Sequence, residues 1–174
     1  MSETRLPKIA TALHALSIVA LALFPALFLL ALSLPALGML DISDFTDIPR
    51  DEWPVMTWIG LFVGLIPAVF LWLAVNAMRR LFALYQKGDP LAPQAGPLIK
   101  SIGSNLFISA LAAIAVVPVQ SGLMSLANPV GERQISVSLN SSTLGFVLVS
   151  GLLLLIGWSM SEATRLAAEN KEFI

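Results

Sequence analysis

The chain contains no cysteine, one histidine and one tyrosine, and only 12% of its 174 residues are charged. The missing cysteine excludes disulfides, thiolate metal sites and a cysteine nucleophile. The single histidine, His14, cannot supply the paired axial ligands of a haem held between helices. A zinc site needs about three or four ligands, and no cluster in the sequence offers them. No Gly-rich phosphate loop and no nucleophile–base motif is present. Net charge is −1, so no basic surface points to direct nucleic-acid binding. These absences weigh against an enzyme and against any cofactor.

Charge is missing altogether from four stretches: 9–34, 55–78, 102–126 and 144–160. A hydrocarbon layer about 30 Å thick is crossed by about 20 apolar residues of helix. A soluble domain is about 25% charged, and this chain, 57% hydrophobic with a mean hydropathy of +0.84, has half that charge. The reading is an all-α membrane protein. A single domain over 1–174 forms a four-transmembrane-helix bundle, with a loop at 79–101 and a tail at 161–174. The first stretch is too long for a signal-peptide core, and Leu34-Pro35 is a poor cleavage exit. It is read as a retained helix, in contact with membrane lipid like the other three.

Basic residues near the span ends set topology. Arg5, Lys8, Arg79, Arg80, Lys87, Lys100, Arg165 and Lys171 fall in the three segments that share one side. Only Arg50 and Arg133 fall in the other two loops. The expected topology is therefore multi-pass, with both termini and the middle loop cytoplasmic. The first outer loop is acidic, with Asp41, Asp44, Asp47, Asp51 and Glu52.

Pro25, Pro67 and Pro118 interrupt three of the spans, each removing a backbone hydrogen bond. They read either as hinges or as the ordinary prolines of membrane helices. Gly60 and Gly64 form a G-x-x-x-G, Ala22 and Ala26 share that spacing, and Gly151 and Gly157 flank a Leu-rich run. Such small residues let helices approach closely. Packing within the monomer is the preferred use, and a homo-oligomer is the open alternative. Asn76 and Asn105, on consecutive spans, are expected to bond to each other. From Arg133 to Asn140 apolar and polar residues alternate, the period of a half-buried strand. It either pairs with 42–48 or lies on the lipid headgroups; the expectation is a small extracytoplasmic cap with a short β-strand or two.

Span two is expected to run on as a helix past Arg79, bringing Leu81, Phe82, Leu84 and Tyr85 to helical spacing. Gly88 suits the position just past its end, with Pro90 as a stop. Pro93 and Pro97 are alternative first-turn positions of the next helix. The last span is expected to continue into the tail, with Ala163, Leu166 and Ala167 on one face and an apolar tip at Phe173 and Ile174. These short cytoplasmic helical extensions are the candidate partner-binding surface: Leu81, Phe82, Leu84, Tyr85, Leu166, Phe173 and Ile174.

Two segments carry a family resemblance. One is Tyr85-Gln86-Lys87-Gly88-Asp89-Pro90-Leu91-Ala92-Pro93, followed by Leu98-Ile99-Lys100-Ser101-Ile102-Gly103. The other is the tail from Ala167 to Ile174. With four spans in this order, they resemble the bacterial integral membrane family called domain of unknown function two-nine-seven-five. The chain departs from its pattern at Leu91-Ala92-Pro93-Gln94, where the family has Phe-Thr-Pro-Glu. It departs again at Ala168-Glu169-Asn170, which has one acid fewer. The resemblance implies no enzymatic activity. It also implies a cytoplasmic partner, a small helix-turn-helix regulator of the Cro/CI type encoded alongside. A small transporter or permeability factor is the alternative.

Overall fold

The structure is a computed structural model and describes residues 5–33, 55–88, 92–126, 128–129 and 131–171. Its helices are α1 (Arg5–Ser33), α2 (Val55–Val63), α3 (Ile66–Gln86), α4 (Ala95–Ser125) and α5 (Ser141–Lys171). Four spans are long and apolar enough to cross a membrane, with mean hydropathy of 2.0 to 2.3; α2 and α3 together make the second. The protein is a multi-pass, all-α membrane protein. Its apolar side chains face outward along the spans, Leu148 at 73% exposed and Leu29 at 65%. In water that would be untenable, but in hydrocarbon it is the ground state.

The packing follows the chain: α1 lies on α3, α3 on α4, α4 on α5, and α2 also on α4. Helix α4 is thus central, and its best apolar window is 28% buried against 11% in each other span. The most buried cluster joins α3 to α4 through Ala74, Ala77, Leu81, Ala95, Ile102 and Leu106.

Span two departs from the uninterrupted helix expected over 55–78. It breaks at Gly64-Leu65, where the Leu65 N–H bonds to the Phe62 carbonyl at 3.1 Å, a tightened turn. Pro67 follows in the first turn of α3, where its missing N–H costs nothing extra. Pro25 and Pro118 stay inside α1 and α4.

Several terminal signals behave as the sequence predicts. Gly88 adopts φ +77°, and its N–H bonds to the Tyr85 carbonyl at 3.1 Å, closing α3 in the left-handed cap that glycine favours. Helix α4 starts at Ala95, with Pro97 in its first turn. Helix α5 starts earlier than the expected span, because Asn140 caps it. The Asn140 Oδ1 accepts the Thr143 N–H at 2.7 Å and the Thr143 hydroxyl at 2.8 Å. It then runs unbroken into the tail, ending at Lys171.

The alternating segment 133–140 forms no strand. It folds back on the end of α4 instead. The Ser125 hydroxyl donates to the Gln134 carbonyl at 2.9 Å, and the Ser121 hydroxyl accepts the Ser136 N–H at 2.9 Å. Ile135, Val137 and Leu139 project outward. Two serines on a helix satisfy the backbone groups that a second strand would otherwise have taken. The expected partner at 42–48, the acidic residues of that loop, and Asp89 to Leu91 lie outside the described residues.

Candidate functional site: the basic end of the bundle

One end of the bundle gathers the start of α1, the α3–α4 connection and the last turns of α5. His14 joins α1 to α3 there: its Nδ1 lies 3.0 Å from the Arg79 carbonyl. Since a carbonyl only accepts, Nδ1 carries the proton. This is a packing role for the histidine.

At the same end α5 seats directly on α4. A Cβ added to Gly96 would stand 2.8 Å from the Ser161 nitrogen, one on Gly103 2.3 Å from the Leu154 nitrogen, and one on Gly157 2.1 Å from the Lys100 nitrogen. No side chain fits at these distances; the two backbones touch. Contacts step through 96, 100 and 103 on α4 while running back through 161, 157 and 154 on α5. The spacing of four then three is that of helices crossing at a shallow angle. Gly151 contributes only an ordinary contact, 3.6 Å from Phe107. In the second span, Gly60 of α2 and Gly64 of the break after it meet Met124 and Gln120 of α4, so the G-x-x-x-G packs within the monomer. Ala22 and Ala26 are exposed and join no such seam.

The expected Asn76–Asn105 bond is not what the structure forms. The Asn76 Oδ1 accepts from Arg79, at 3.2 Å from Nη2 and 3.4 Å from Nε. The Asn105 amide donates to the Ser101 carbonyl at 2.7 Å. Each amide finds a partner one turn away in its own helix. Hydroxyls do the same, as Ser150 to the Phe146 carbonyl at 2.7 Å and Thr164 to the Met160 carbonyl at 2.8 Å. This local closure leaves few polar groups to bind anything inside the spans.

The expected docking face divides in two. Leu81 is 7% exposed and packs in the α3–α4 core, with Tyr85 against it. Both point inward, because 74, 77, 81 and 85 form one stripe of α3. Leu81 is not free to receive a partner, and Tyr85 is half-buried. Phe82 is half-buried. Leu84 lies on a different stripe, with Arg80, Ala83 and Lys87, and lines an open cleft of about 620 Å³. The opposite wall is Pro93, Gln94, Pro97 and Leu98, at the start of α4, and Arg79 completes the rim. Arg80 and Lys87 are exposed. Among the described residues both ion pairs belong to Arg165, with Glu162 and Glu169. The cleft was legible only in part: the 80, 84 and 87 spacing is visible in the sequence, whereas the prolines that wall it off are placed by the fold.

A second pocket, an open apolar groove of about 220 Å³, lies among Phe24, Pro25, Leu65, Ala68, Val69 and Trp72. The proline of α1 and the break before α3 thus face each other. Pro25 has no N–H, so the Leu21 carbonyl loses its helical donor. The Trp72 indole N–H takes that place, 3.3 Å from the Leu21 oxygen. Ser109 of α4 likewise donates to the Pro67 carbonyl at 2.8 Å.

On the tail, Ala163, Leu166 and Ala167 are all exposed. Phe173 and Ile174 lie outside the described residues. No three metal-ligating side chains come together among the described residues. Comparison with known proteins finds no match to this chain among family models, curated proteins or solved structures.

Proposed function

We propose that this chain is a non-enzymatic protein of the bacterial inner membrane, with both termini cytoplasmic, that binds a cytoplasmic protein partner. The observation that carries the reading is the tail of α5. It continues as helix beyond the last apolar run to Lys171, and its Ala163, Leu166 and Ala167 face is uncovered. The Arg165 pairs with Glu162 and Glu169 run along the same helix and stiffen it. An exposed apolar stripe on a rigid helix fits the groove of another protein. The eight basic residues in the segments on one side support the orientation. That the partner is a small helix-turn-helix regulator, and that the chain belongs with the domain of unknown function two-nine-seven-five, rests on the sequence resemblance.

The test is purification in mild detergent from native membranes, full length beside a version ending at Ser161. A small DNA-binding protein retained only by the intact chain supports the proposal. Leu166→Glu should release it with insertion unchanged. Recovery of the same proteins with both versions rejects the tail as the docking element. A small transporter or permeability factor is the second reading, favoured by the two proline breaks that face each other across the apolar groove. It predicts stabilisation by a metabolite that is lost in Asn105→Leu.

A further inference from the structure

We infer that the cleft between the end of α3 and the start of α4 binds the headgroup and upper chains of an anionic phospholipid. The inference stands apart from the partner reading, since it uses neither the tail nor the side on which the termini lie. Three cations, Arg79, Arg80 and Lys87, line the cleft. The only acids among the described residues are Glu132, Glu162 and Glu169. The last two are committed to Arg165, and Glu132 follows α4 at the opposite end. Among the described residues, Arg79, Arg80 and Lys87 form no ion pair. Arg79 is held in place by its bonds to Asn76, so one guanidinium is positioned before any ligand arrives.

What lines the cleft beside the cations selects a lipid over a soluble anion. Ala83 and Leu84 on one wall and Pro97 and Leu98 on the other are apolar and give inorganic phosphate nothing to bond. An acyl chain fits between them. The volume, about 620 Å³, falls in the range of ligand sites, about 300–1,000 Å³. Depth agrees as well. The apolar run of the second span ends at Met78, and the cations begin at Arg79. They stand where lipid phosphates stand, and basic pockets between spans take anionic headgroups.

The test reconstitutes the full-length chain in nanodiscs of mixed phosphatidylcholine and phosphatidylglycerol and reads retained lipid by native mass spectrometry. Wild type should retain phosphatidylglycerol in excess of its share of the bilayer. Arg80→Gln and Lys87→Gln should each lower that excess by about 5-fold, from the energy of one basic residue at an anionic surface. Both side chains are exposed, so thermal unfolding in phosphatidylcholine alone should not change. Arg133→Gln, at the other end, should keep the enrichment. Equal retention of the two lipids by wild type overturns the proposal, as does an unchanged excess in the double variant. Displacement by inorganic phosphate would make the cleft a soluble-anion site. A protein retained there in place of lipid would make it a protein interface.

Discussion

Helix α5 meets α4 differently from the way α1 meets α3. The first seam is backbone against backbone, made by Gly96, Gly103 and Gly157 with Ser150 fully buried beside them. The second contains an apolar groove and is pinned at two points, Trp72 to the Leu21 carbonyl and His14 to the Arg79 carbonyl. Between membrane helices there is no hydrophobic driving force, because lipid is as apolar as leucine. Close packing and hydrogen bonds are what remain. This protein uses the first for one outer helix and the second for the other. At Gly96, Gly103 and Gly157 the α4–α5 seam has no room for an added Cβ, while the α1–α3 seam opens into an apolar groove and depends on single bonds.

Substitutions can break that contrast. Gly103→Val should be the most damaging, because its Cβ would overlap the Leu154 backbone, and overpacking costs about 1–3 kcal/mol. Unfolding in detergent would read it, and Gly157→Val should behave alike. Gly64→Ala should cost distinctly less than Gly103→Ala. The new Cβ at Gly64 meets the amide end of the Gln120 side chain at 2.6 Å, and that end can turn away. Equal losses at the two sites would mean that the α2–α4 contact is as rigid as α4–α5. Trp72→Phe keeps the ring but removes the donor; the expected loss is that of a membrane hydrogen bond, about 0.6 kcal/mol and at most about 1.7. The absence of cysteine allows a single engineered cysteine pair across α1 and α3 to report the opening. His14→Phe should have the smallest effect on the same assay. It sits near the basic end, where headgroups and water can take over the Arg79 carbonyl.

Much of this architecture is legible in the sequence. The spans follow from uncharged length alone, and Gly88 and the continuous last helix from local chemistry. The errors have physical causes. Periodicity places Leu81, Phe82, Leu84 and Tyr85 on a helix but does not say which stripe the neighbour covers. Neighbouring helices put 81 and 85 inside and left 84 at the cleft. Asn76 and Asn105 looked like partners because they share a depth, yet each had an acceptor or donor one turn away that required no helix alignment. The alternation at 133–140 is genuine, but two serines of α4 bond to its backbone. Glycine spacing finds the Gly60 and Gly64 contact and Gly157 of the α4–α5 seam, but not Gly96 and Gly103 opposite it. There the small residues alternate with Lys100, Leu154 and Ser161, whose backbones, not side chains, make the contact.

The bond from Trp72 to the Leu21 carbonyl also orders assembly in time. A ribosome delivers α1 to the membrane dozens of residues before Trp72 exists. Throughout that interval the first span carries a carbonyl in mid-membrane whose helical donor Pro25 has deleted. The defect lies in a finished helix, and its remedy lies in another helix not yet made. Arrival of α3 closes it, so the bond that joins α3 to α1 is also the repair of the first span.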